Sequence, residues 1–505
     1  MKIHVYWCGA LFTMTSIYMC TAKTAESIKN INYIKEVGPD TAGRCCSTVI
    51  SDMNFRITNP SYPEVDSGSR RYFHKIQMQS GTCALRIMYK DIKLHLPGLM
   101  SSACSLDSIT ILAPQFPTQP QCGFLDNFLV NVPVKEGDEV EILVVVQSTK
   151  YSWNMVISQI PCSEIESKPL AKYEEHCGKR PRHNFLWNFG VHELDSGILD
   201  NVQNEIPQTI INDPDVNSYH ATGDFFRCHM ERVVDKIAAK TVQNNRIVNG
   251  QTARRSWPWQ VVLLIKGRHL LCGGALIAPN LAITAGHCLK AVQKALGLEN
   301  LVIAMGVQKI GTQSAGVQYR RCKHATIHPQ YAEINQDIGL CYFDEPIEVS
   351  DKAVPICLPY EKDHTFAGEK GIITGWGRTS DHGTAANILQ EAAIPIVTNE
   401  ACSEAWEQTG GKALSALIDS TMLCGGGNNR STCNGDSGGP LSIHNSTTDR
   451  YTLIGLTSFG PSSICNVPGK PLSVFTRITS QLPFLSMATA EISLDAKNLK
   501  VYLPC

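Results

Sequence analysis

The stretch Asn434-Gly435-Asp436-Ser437-Gly438-Gly439-Pro440 decides the fold that this sequence predicts. By itself, a serine between glycine-rich flanks is typical of a turn. Two other stretches precede it, Thr284-Ala285-Gly286-His287-Cys288 and Asn335-Gln336-Asp337-Ile338-Gly339-Leu340. Histidine, aspartate and serine in this chain order are one known order of a Ser-His-Asp triad. Together, the three stretches predict nucleophilic catalysis, although each alone has a structural interpretation.

Each candidate residue has a chemical role in that prediction. A serine hydroxyl is a poor nucleophile near neutral pH, so Ser437 needs a base, and His287 is the candidate. Asp337 is expected to orient the imidazole and to stabilise the imidazolium. The N–H groups of Gly435 and Ser437 are the expected oxyanion donors, and losing one such donor typically lowers turnover roughly 100- to 1,000-fold.

The flanking motifs resemble the chymotrypsin/trypsin family of serine endopeptidases from Ile247 to about Ala488. Those motifs are Ser256-Trp257-Pro258-Trp259-Gln260-Val261, Leu271-Cys272-Gly273-Gly274-Ala275-Leu276-Ile277, Gly375-Trp376-Gly377, Ser458-Phe459-Gly460 and Val474-Phe475-Thr476-Arg477. The resemblance implies an all-β fold, with a chymotrypsin-like double six-stranded β-barrel over 247–488. It also implies that proteins or peptides are substrates and that serine protease inhibitors are partners.

The segment Asn245-Arg246-Ile247-Val248-Asn249-Gly250 predicts a switch. The resemblance implies that cleavage after Arg246 frees the α-amino group of Ile247, which then pairs with Asp436. A charge pair formed in a low-dielectric site can shape the catalytic centre in one step. We therefore expect the uncleaved chain to be an inactive zymogen.

The resemblance also implies which residues line the primary specificity pocket. Its floor lies six residues before the nucleophile, at Ser431, and Ser458, Gly460 and Ser473 complete it. A serine cannot offset the desolvation of a buried substrate cation. We therefore expect cleavage after large apolar residues, and activation by a separate, upstream trypsin-like protease. The alternatives are a trypsin-like cascade protease and a non-catalytic binding protein on a protease scaffold.

The chain start and the cysteine content predict a secreted, extracellular protein. Residues 1–22 have the pattern of a signal peptide, and no other apolar stretch is long enough to predict a membrane span. Of the 20 cysteines, Cys8 and Cys20 lie in that leader, and the even remainder favours disulfides over metal ligands. No metal site and no cofactor are expected.

Several disulfides are expected. The family resemblance implies the pairs Cys272–Cys288, Cys402–Cys424 and Cys433–Cys465. We add Cys322–Cys341, because the strands before and after Asp337 should be neighbours. Cys357 is expected to tether the protease to its propeptide through Cys228, with Cys177 as the alternative. The partners of the remaining cysteines stay open: Cys45, Cys46, Cys83, Cys162, Cys177 and Cys505.

Residues 45–162 have short alternating apolar segments separated by turns, which predict an antiparallel β-sandwich. Three stretches resemble a CUB domain: Asn59-Pro60-Ser61-Tyr62-Pro63, Cys104-Ser105-Leu106-Asp107-Ser108-Ile109-Thr110-Ile111 and Cys122-Gly123. The resemblance implies a Cys104–Cys122 disulfide and docking of a partner or substrate, such as a protein or glycan ligand. Asp107 alone does not provide the six to eight oxygens that calcium prefers.

The rest of the chain divides into a segment at 23–44, a linker and activation propeptide at 163–246, and an extension at 489–505. Asn445 begins an Asn-Ser-Thr glycosylation motif. The net charge of −1 gives no reason to expect nucleic acid or an anionic membrane as a partner. As a whole, the chain resembles the secreted CUB-domain serine proteases of arthropod haemolymph, digestive fluid, saliva and venom.

Overall fold

The structure is a computed structural model that describes thirteen parts of the chain. These are residues 49–95, 104, 106–180, 251–253, 255–312, 314–361, 364–378, 385–408, 412–427, 431–433, 435–460, 472–490 and 499–503. The predicted signal peptide, Cys45, Cys46, Cys228, Arg246, Ile247, Cys465 and Cys505 lie outside them. No helix within these parts is long and apolar enough to cross a membrane.

The N-terminal part forms two packed sheets. The first sheet contains, in spatial order, β1 (Val49–Ile50), β3 (Arg70–Gln77), β7 (Glu139–Val146) and β5 (Ser108–Leu112). The second contains β6 (Phe128–Pro133), β4 (Thr82–Lys93), β8 (Ser152–Pro161), β2 (Asn54–Thr58) and β22 (Lys500–Tyr502). Alternate residues of β7 are buried, which matches its apolar-polar sequence pattern. This two-sheet unit is called the sandwich below.

Aromatic side chains fill the centre of the sandwich. Tyr151 and Trp153 are fully buried and stacked, with ring centroids 5.8 Å apart. The hydroxyls of Tyr72 and Tyr151 are hydrogen-bonded over 2.7 Å, which satisfies both polar groups. Asp107 is 1% exposed, and its carboxylate accepts hydrogen bonds from His95, Gln147 and Ser148. Asp107 therefore ties loops of the sandwich together.

The next six strands form a closed barrel. Its strands, in spatial order, are β13 (Leu301–Met305), β10 (Gln260–Ile265), β11 (His269–Ala278), β12 (Leu281–Thr284), β15 (Gly339–Phe343) and β14 (Gln318–Ile327). Pairing of β13 with β14 closes the ring. Their residues are largely apolar, and β10 and β13 are buried throughout.

A second barrel follows with the same closure. Its strands are β16 (Lys370–Gly375), β19 (Pro440–Asn445), β20 (Arg450–Phe459), β21 (Ser473–Arg477), β18 (Met422–Gly425) and β17 (Gln390–Val397). Pairing of β16 with β17 closes it, and β9 (Gln251–Thr252) pairs on the outside of β17. The predicted all-β fold class with a double six-stranded barrel is confirmed.

Four α-helices lie within the described parts of the chain. They are α1 (Gly286–Ala295), α2 (Asn399–Gln408), α3 (Lys412–Ser415) and α4 (Leu482–Thr489). Short 3₁₀ turns occur at Cys162–Glu164, Ala171–Tyr173, Leu298–Asn300 and Ile478–Gln481. α1 begins directly after β12, so the first barrel fixes the position of its N-terminus.

The sandwich is joined to the first barrel by strand pairing and to α4 by a partly buried arginine. β6 pairs in parallel with β14, in the register Ala325↔Phe128 and Thr326↔Leu129. Arg86 of β4 donates to the carbonyl oxygens of Met487, Ala488 and Ala490 at the end of α4. A cation at a helix C-terminus also interacts favourably with the helix dipole.

Parts of the predicted linker and of the C-terminal extension pack against the rest of the fold. Leu170 is 8% exposed, and the Arg180 guanidinium lies 3.6 Å from the centroid of the Trp257 ring. The start of the 163–246 segment therefore packs against the barrels through the buried Leu170 and the stacked Arg180. β22, from the 489–505 extension, pairs with β2 of the sandwich.

Candidate active site

The first and second barrels each contribute candidate residues to one site. His287 lies in the first turn of α1, and Asp337 precedes β15, which pairs with β12. Ser437 lies in the loop before β19 of the second barrel. Three distant stretches of sequence therefore meet where the barrels adjoin.

His287 and Asp337 form a two-point contact. The His287 backbone N–H donates to Asp337 Oδ1 over 2.8 Å, and the ring Nδ1 lies 2.8 Å from Oδ2. Asp337 is 1% exposed, whereas the His287 side chain is 32% exposed. Because Nδ1 faces the carboxylate, Nε2 remains the ring nitrogen that can exchange a proton with another group.

The charge of Asp337 controls both pKa values of this pair. Burial lowers the pKa of His287, but the charge and the hydrogen bond of Asp337 outweigh burial and raise it. Burial likewise raises the pKa of Asp337, but His287 and the hydrogen bond from Ser458 outweigh it and hold the pKa below its usual value. The pair is therefore suited to an ionised aspartate beside a histidine that gains a proton readily.

Two hydroxyl groups of the second barrel hold Asp337. Ser458 Oγ donates to Asp337 Oδ2 over 2.6 Å, and Thr476 Oγ1 donates to the Asp337 carbonyl oxygen over 2.8 Å. The sequence interpretation assigned Ser458 to the pocket and did not predict its hydrogen bond to Asp337. The sequence interpretation gave Thr476 no role, although the motif that contains it, Val474-Phe475-Thr476-Arg477, was one of those that carry the family resemblance.

Backbone hydrogen bonds join the Ser437 loop to both barrels, at Gly273 of β11 and Thr457 of β20. Gly273 N–H donates to the Ser437 carbonyl oxygen over 2.8 Å, and Gly438 N–H donates to Thr457 O over 2.7 Å. A Cβ at Gly438 would meet Gly273 O at 2.6 Å and Ala285 N at 2.9 Å. Since Ala285 lies two residues before His287, this glycine permits the close approach of the serine loop to the histidine.

The expected oxyanion donors lie on the same loop. Gly435 has φ +100°, and a Cβ there would lie 3.1 Å from Gly377 Cα. Within the described residues, no acceptor is hydrogen-bonded to the N–H of Gly435 or of Ser437. Ser437 itself is only partly buried.

Asp436 belongs to the same loop, and its side chain is buried. It is 2% exposed, and its carboxylate accepts N–H groups from Gly377 over 2.8 Å and from Cys433 over 3.0 Å. Burial raises the pKa of Asp436 to about 6, against the opposing effect of those two hydrogen bonds. Among the described residues, no cation pairs with Asp436.

Of the predicted pocket residues, Gly460 and Ser473 lie close to each other, and Thr432 contacts Ser473. Thr432 N–H donates to Ser473 Oγ over 3.0 Å, and the two hydroxyls are 2.9 Å apart. A Cβ on Gly460 would lie 3.9 Å from Ser473 Oγ. Ser431 is partly exposed beside Thr432. The sequence interpretation missed Thr432, whose hydroxyl pairs with that of Ser473.

The cysteines form six disulfides within the described residues. They are Cys83–Cys162, Cys104–Cys122, Cys177–Cys357, Cys272–Cys288, Cys322–Cys341 and Cys402–Cys424. Cys433 is also disulfide-bonded, and its expected partner lies outside the described residues. Because Cys272 and Cys288 are bonded to each other, the Cys272-His287-Cys288 cluster has no free thiolate for a metal ion.

The predicted Cys228–Cys357 pair was wrong. Cys357 is bonded to Cys177, with the two Cα atoms 4.9 Å apart. The physical reason is local backbone pairing, because Gly178 N–H donates to Pro355 O over 2.8 Å and Tyr451 N–H donates to Gly178 O over 2.9 Å. These bonds hold Cys177 beside Cys357.

Asn445, the predicted glycosylation position, lies at the exposed end of β19. Its Oδ1 accepts N–H groups from Thr447 over 2.9 Å and from Thr448 over 3.0 Å, which closes a surface turn. The activation residues Arg246 and Ile247 lie outside the described parts.

A double barrel defines a serine protease when a buried aspartate is hydrogen-bonded to a histidine and a serine loop lies at the junction of the two barrels. The family model for trypsin matches residues 247–485. Clotting factor G beta subunit of Tachypleus tridentatus is 35% identical over 269 residues, which are 51% of this chain and 85% of that protein. Chymotrypsin-like elastase family member 3B of Macaca mulatta is 35% identical over 260 residues, which are 49% of this chain and 95% of that protein.

Proproteinase E of Bos taurus is 33% identical over 258 residues, which are 49% of this chain and 96% of that protein. The chain therefore belongs to the trypsin family of serine proteases. It is a serine endopeptidase, a hydrolase with protein substrates. The family model leaves the sandwich outside its matched range.

Proposed function

We propose that this protein hydrolyses peptide bonds through an acyl-enzyme on Ser437. The observation that carries the proposal is the His287–Asp337 contact, with Nδ1 2.8 Å from a carboxylate that is 1% exposed. His287 is the general base and Asp337 orients it. Gly435 and Ser437 donate their N–H groups to the oxyanion.

The reaction proceeds by two acyl transfers. Ser437 Oγ attacks the substrate carbonyl carbon while its proton moves to His287 Nε2. The tetrahedral intermediate collapses, the C–N bond breaks, and the leaving amine takes that proton. Water then attacks the acyl-enzyme, again losing a proton to His287, and Ser437 leaves with the proton returned.

Activation follows cleavage after Arg246 by an upstream trypsin-like protease. The new α-amino group of Ile247 inserts beside Asp436. The buried carboxylate, whose pKa is raised to about 6, supports this step, because an approaching cation relieves its desolvation. Serine protease inhibitors act on the mature form.

The preferred substrate residue is large and apolar. Ser431 supplies no carboxylate at the pocket floor, and Thr432 and Ser473 pair their hydroxyls with each other. A substrate lysine or arginine would therefore lose its hydration without a counter-ion.

The protein is secreted after loss of residues 1–22 and carries glycan on Asn445. Residues 45–162 form a CUB-like module, and the outer face of the sandwich docks a protein or glycan ligand. Residues 163–246 form a propeptide that remains attached to 247–488 through Cys177–Cys357, while 489–505 forms a C-terminal extension.

One experiment tests the reaction and the pocket. The zymogen is cut with trace trypsin, Ile247 is verified as the new N-terminus, and the trypsin is inhibited. The product and its Ser437→Ala twin then receive peptides ending in Phe, Leu, Ala, Arg and Glu. We expect cleavage after Phe or Leu that is absent from the twin. Cleavage after Arg alone would refute the pocket argument, and silence on all five would favour a binding protein.

A second candidate is a protease of a clotting or immune cascade. It is favoured by the 35% identity to clotting factor G beta subunit. The same peptide panel distinguishes it, because a cascade enzyme that activates trypsin-like zymogens must cleave after arginine.

A further inference from the structure

A loop of the sandwich contacts the helix that carries His287. The Phe124 N–H donates to the Gln293 carbonyl oxygen over 2.7 Å. Gln293 lies in the last turn of α1, where carbonyl groups have no partner within the helix. The sandwich therefore satisfies one of the terminal carbonyl groups of this helix.

The contact is backbone against backbone. Gly123 has φ +99°, and a Cβ at this position would meet Gln293 O at 2.6 Å and Lys294 Cα at 3.4 Å. Any side chain at Gly123 must therefore displace either the loop or α1. Such a close approach is possible only for glycine.

The loop is itself held firmly on the sandwich. Asp126 Oδ1 accepts the Ile92 N–H over 2.6 Å, and Asn127 N–H donates to Tyr89 O over 2.8 Å. The disulfide between Cys104 and Cys122 closes the other side. Because these bonds fix the loop on the sandwich, the loop cannot shift freely to relieve a clash with α1.

The sandwich also contacts the strand beside Asp337. β6 pairs with β14 at Ala325 and Thr326. Two residues further along, His328 N–H donates to Ile338 O over 3.0 Å, directly next to Asp337. The same module thus contacts both elements that place the histidine and the aspartate.

We propose that the sandwich is a positioning element of the catalytic site, in which Gly123 and Phe124 fix the far end of the helix whose first turn carries His287. α1 is held at its start by the His287–Asp337 hydrogen bonds and by Cys272–Cys288, and at its end by the sandwich loop. The inference rests on the proposed role of His287 as general base. It adds a catalytic task to a module otherwise expected only to dock ligands.

The test uses a pair of matched glycine substitutions in the trypsin-activated full chain. Gly123→Ala places a Cβ against Gln293 O. Gly68→Ala is the control, because Gly68 has φ +92° but no atom within 4 Å of its Cβ position. Both variants carry similar backbone strain, and only the first acts on α1. Each is assayed with a short chromogenic peptide, and fluorophosphonate labelling counts the active sites.

We expect Gly123→Ala to lower kcat per active site about 10- to 100-fold with KM nearly unchanged, as a misplaced catalytic group does. The acid limb of its kcat/KM profile should move to lower pH, because a weaker contact with Asp337 lowers the pKa of His287. Partial unfolding alone would reduce the number of sites without moving the limb. Gly68→Ala should have the kcat of the wild type, and the acid limb of its kcat/KM profile should lie at the wild-type pH.

Asp126→Ala is the second variant, and it decides the matter if Gly123→Ala does not fold. It releases the loop from Ile92 without adding an atom to the contact, so we expect a smaller fall in kcat and a limb shift in the same direction. Wild-type kcat and limb position in the folded variants would overturn the positioning role and leave the triad intact. A wild type that neither cleaves peptide nor reacts with the fluorophosphonate would instead refute the proposed function, and this inference with it.

Discussion

Replacement of Asp436 by asparagine tests whether the uncleaved chain holds a buried carboxyl with a raised pKa, which we propose as the partner of the new N-terminus. Asp436 is 2% exposed, and within the described residues its carboxylate has backbone N–H partners but no cation. Burial raises its pKa from 3.8 to about 6. Asparagine has a similar shape and no charge.

The magnitude follows from that pKa difference. About two pKa units correspond to about 3 kcal/mol between the two protonation states. The folded, uncleaved chain holds the Asp436 proton more tightly than the unfolded chain does. The free energy of unfolding therefore falls as the pH rises from about 4 to about 6, and it stays lower above that range.

The assay is urea unfolding of the uncleaved wild type and of Asp436→Asn, below and above this pH window. The asparagine amide cannot accept hydrogen bonds from both N–H groups as the carboxylate does. This loss lowers the free energy of unfolding of the variant by the same amount at both pH values, so it cancels when they are compared. The free energy of unfolding of the variant minus that of the wild type should be about 3 kcal/mol higher at about pH 7.5 than at about pH 3. If cleavage after Arg246 frees the Ile247 α-amino group to pair with Asp436, as proposed, the gain should disappear in the cleaved chain.

Two results would contradict this reasoning. A difference in unfolding free energy between wild type and variant that does not change with pH would mean that the Asp436 carboxyl has no raised pKa in the uncleaved chain. An unchanged gain in the cleaved enzyme would mean that the new N-terminus does not reach Asp436.

Two further predictions concern the pH dependence of the enzyme and its stability. The wild-type acid limb of kcat/KM should have its midpoint above pH 6.5, because Asp337 raises the pKa of His287; a midpoint below 6.5, measured on the activated enzyme, would argue against an ionised Asp337. Arg86→Met should lower the free energy of unfolding by about 3 kcal/mol, because three carbonyl oxygens at the end of α4 lose their donor. Lys93→Met, on the same strand but 62% exposed at the lysine, is the control and should change stability little in the same urea titration.

Much of the catalytic centre could be predicted from the sequence, because the reaction demands particular residue types. A nucleophile, a base and an orienting acid must all be present, and each lies in a short motif around Ser437, His287 or Asp337. The alternating pattern of β7 likewise predicted a half-buried strand, since strand side chains point to opposite faces. The double barrel followed from the resemblance that these motifs carry.

The sequence was less informative wherever a residue acts across the fold. The Ser458 hydroxyl binds Asp337, which lies 121 residues away, and no local pattern marks that contact. Cys357 had two candidate partners, and only the backbone pairing around Gly178 selects Cys177.

The sequence by itself determined the chemistry of this protein, because motif residues are constrained by the reaction they perform. The tertiary structure alone decided how the sandwich meets the protease. Strand β6 joins β14 through backbone hydrogen bonds, which any pair of suitable strands can make. Gly123 approaches α1 closely because this packing leaves no space for a side chain, and the residues around it carry no signal of the helix that they contact.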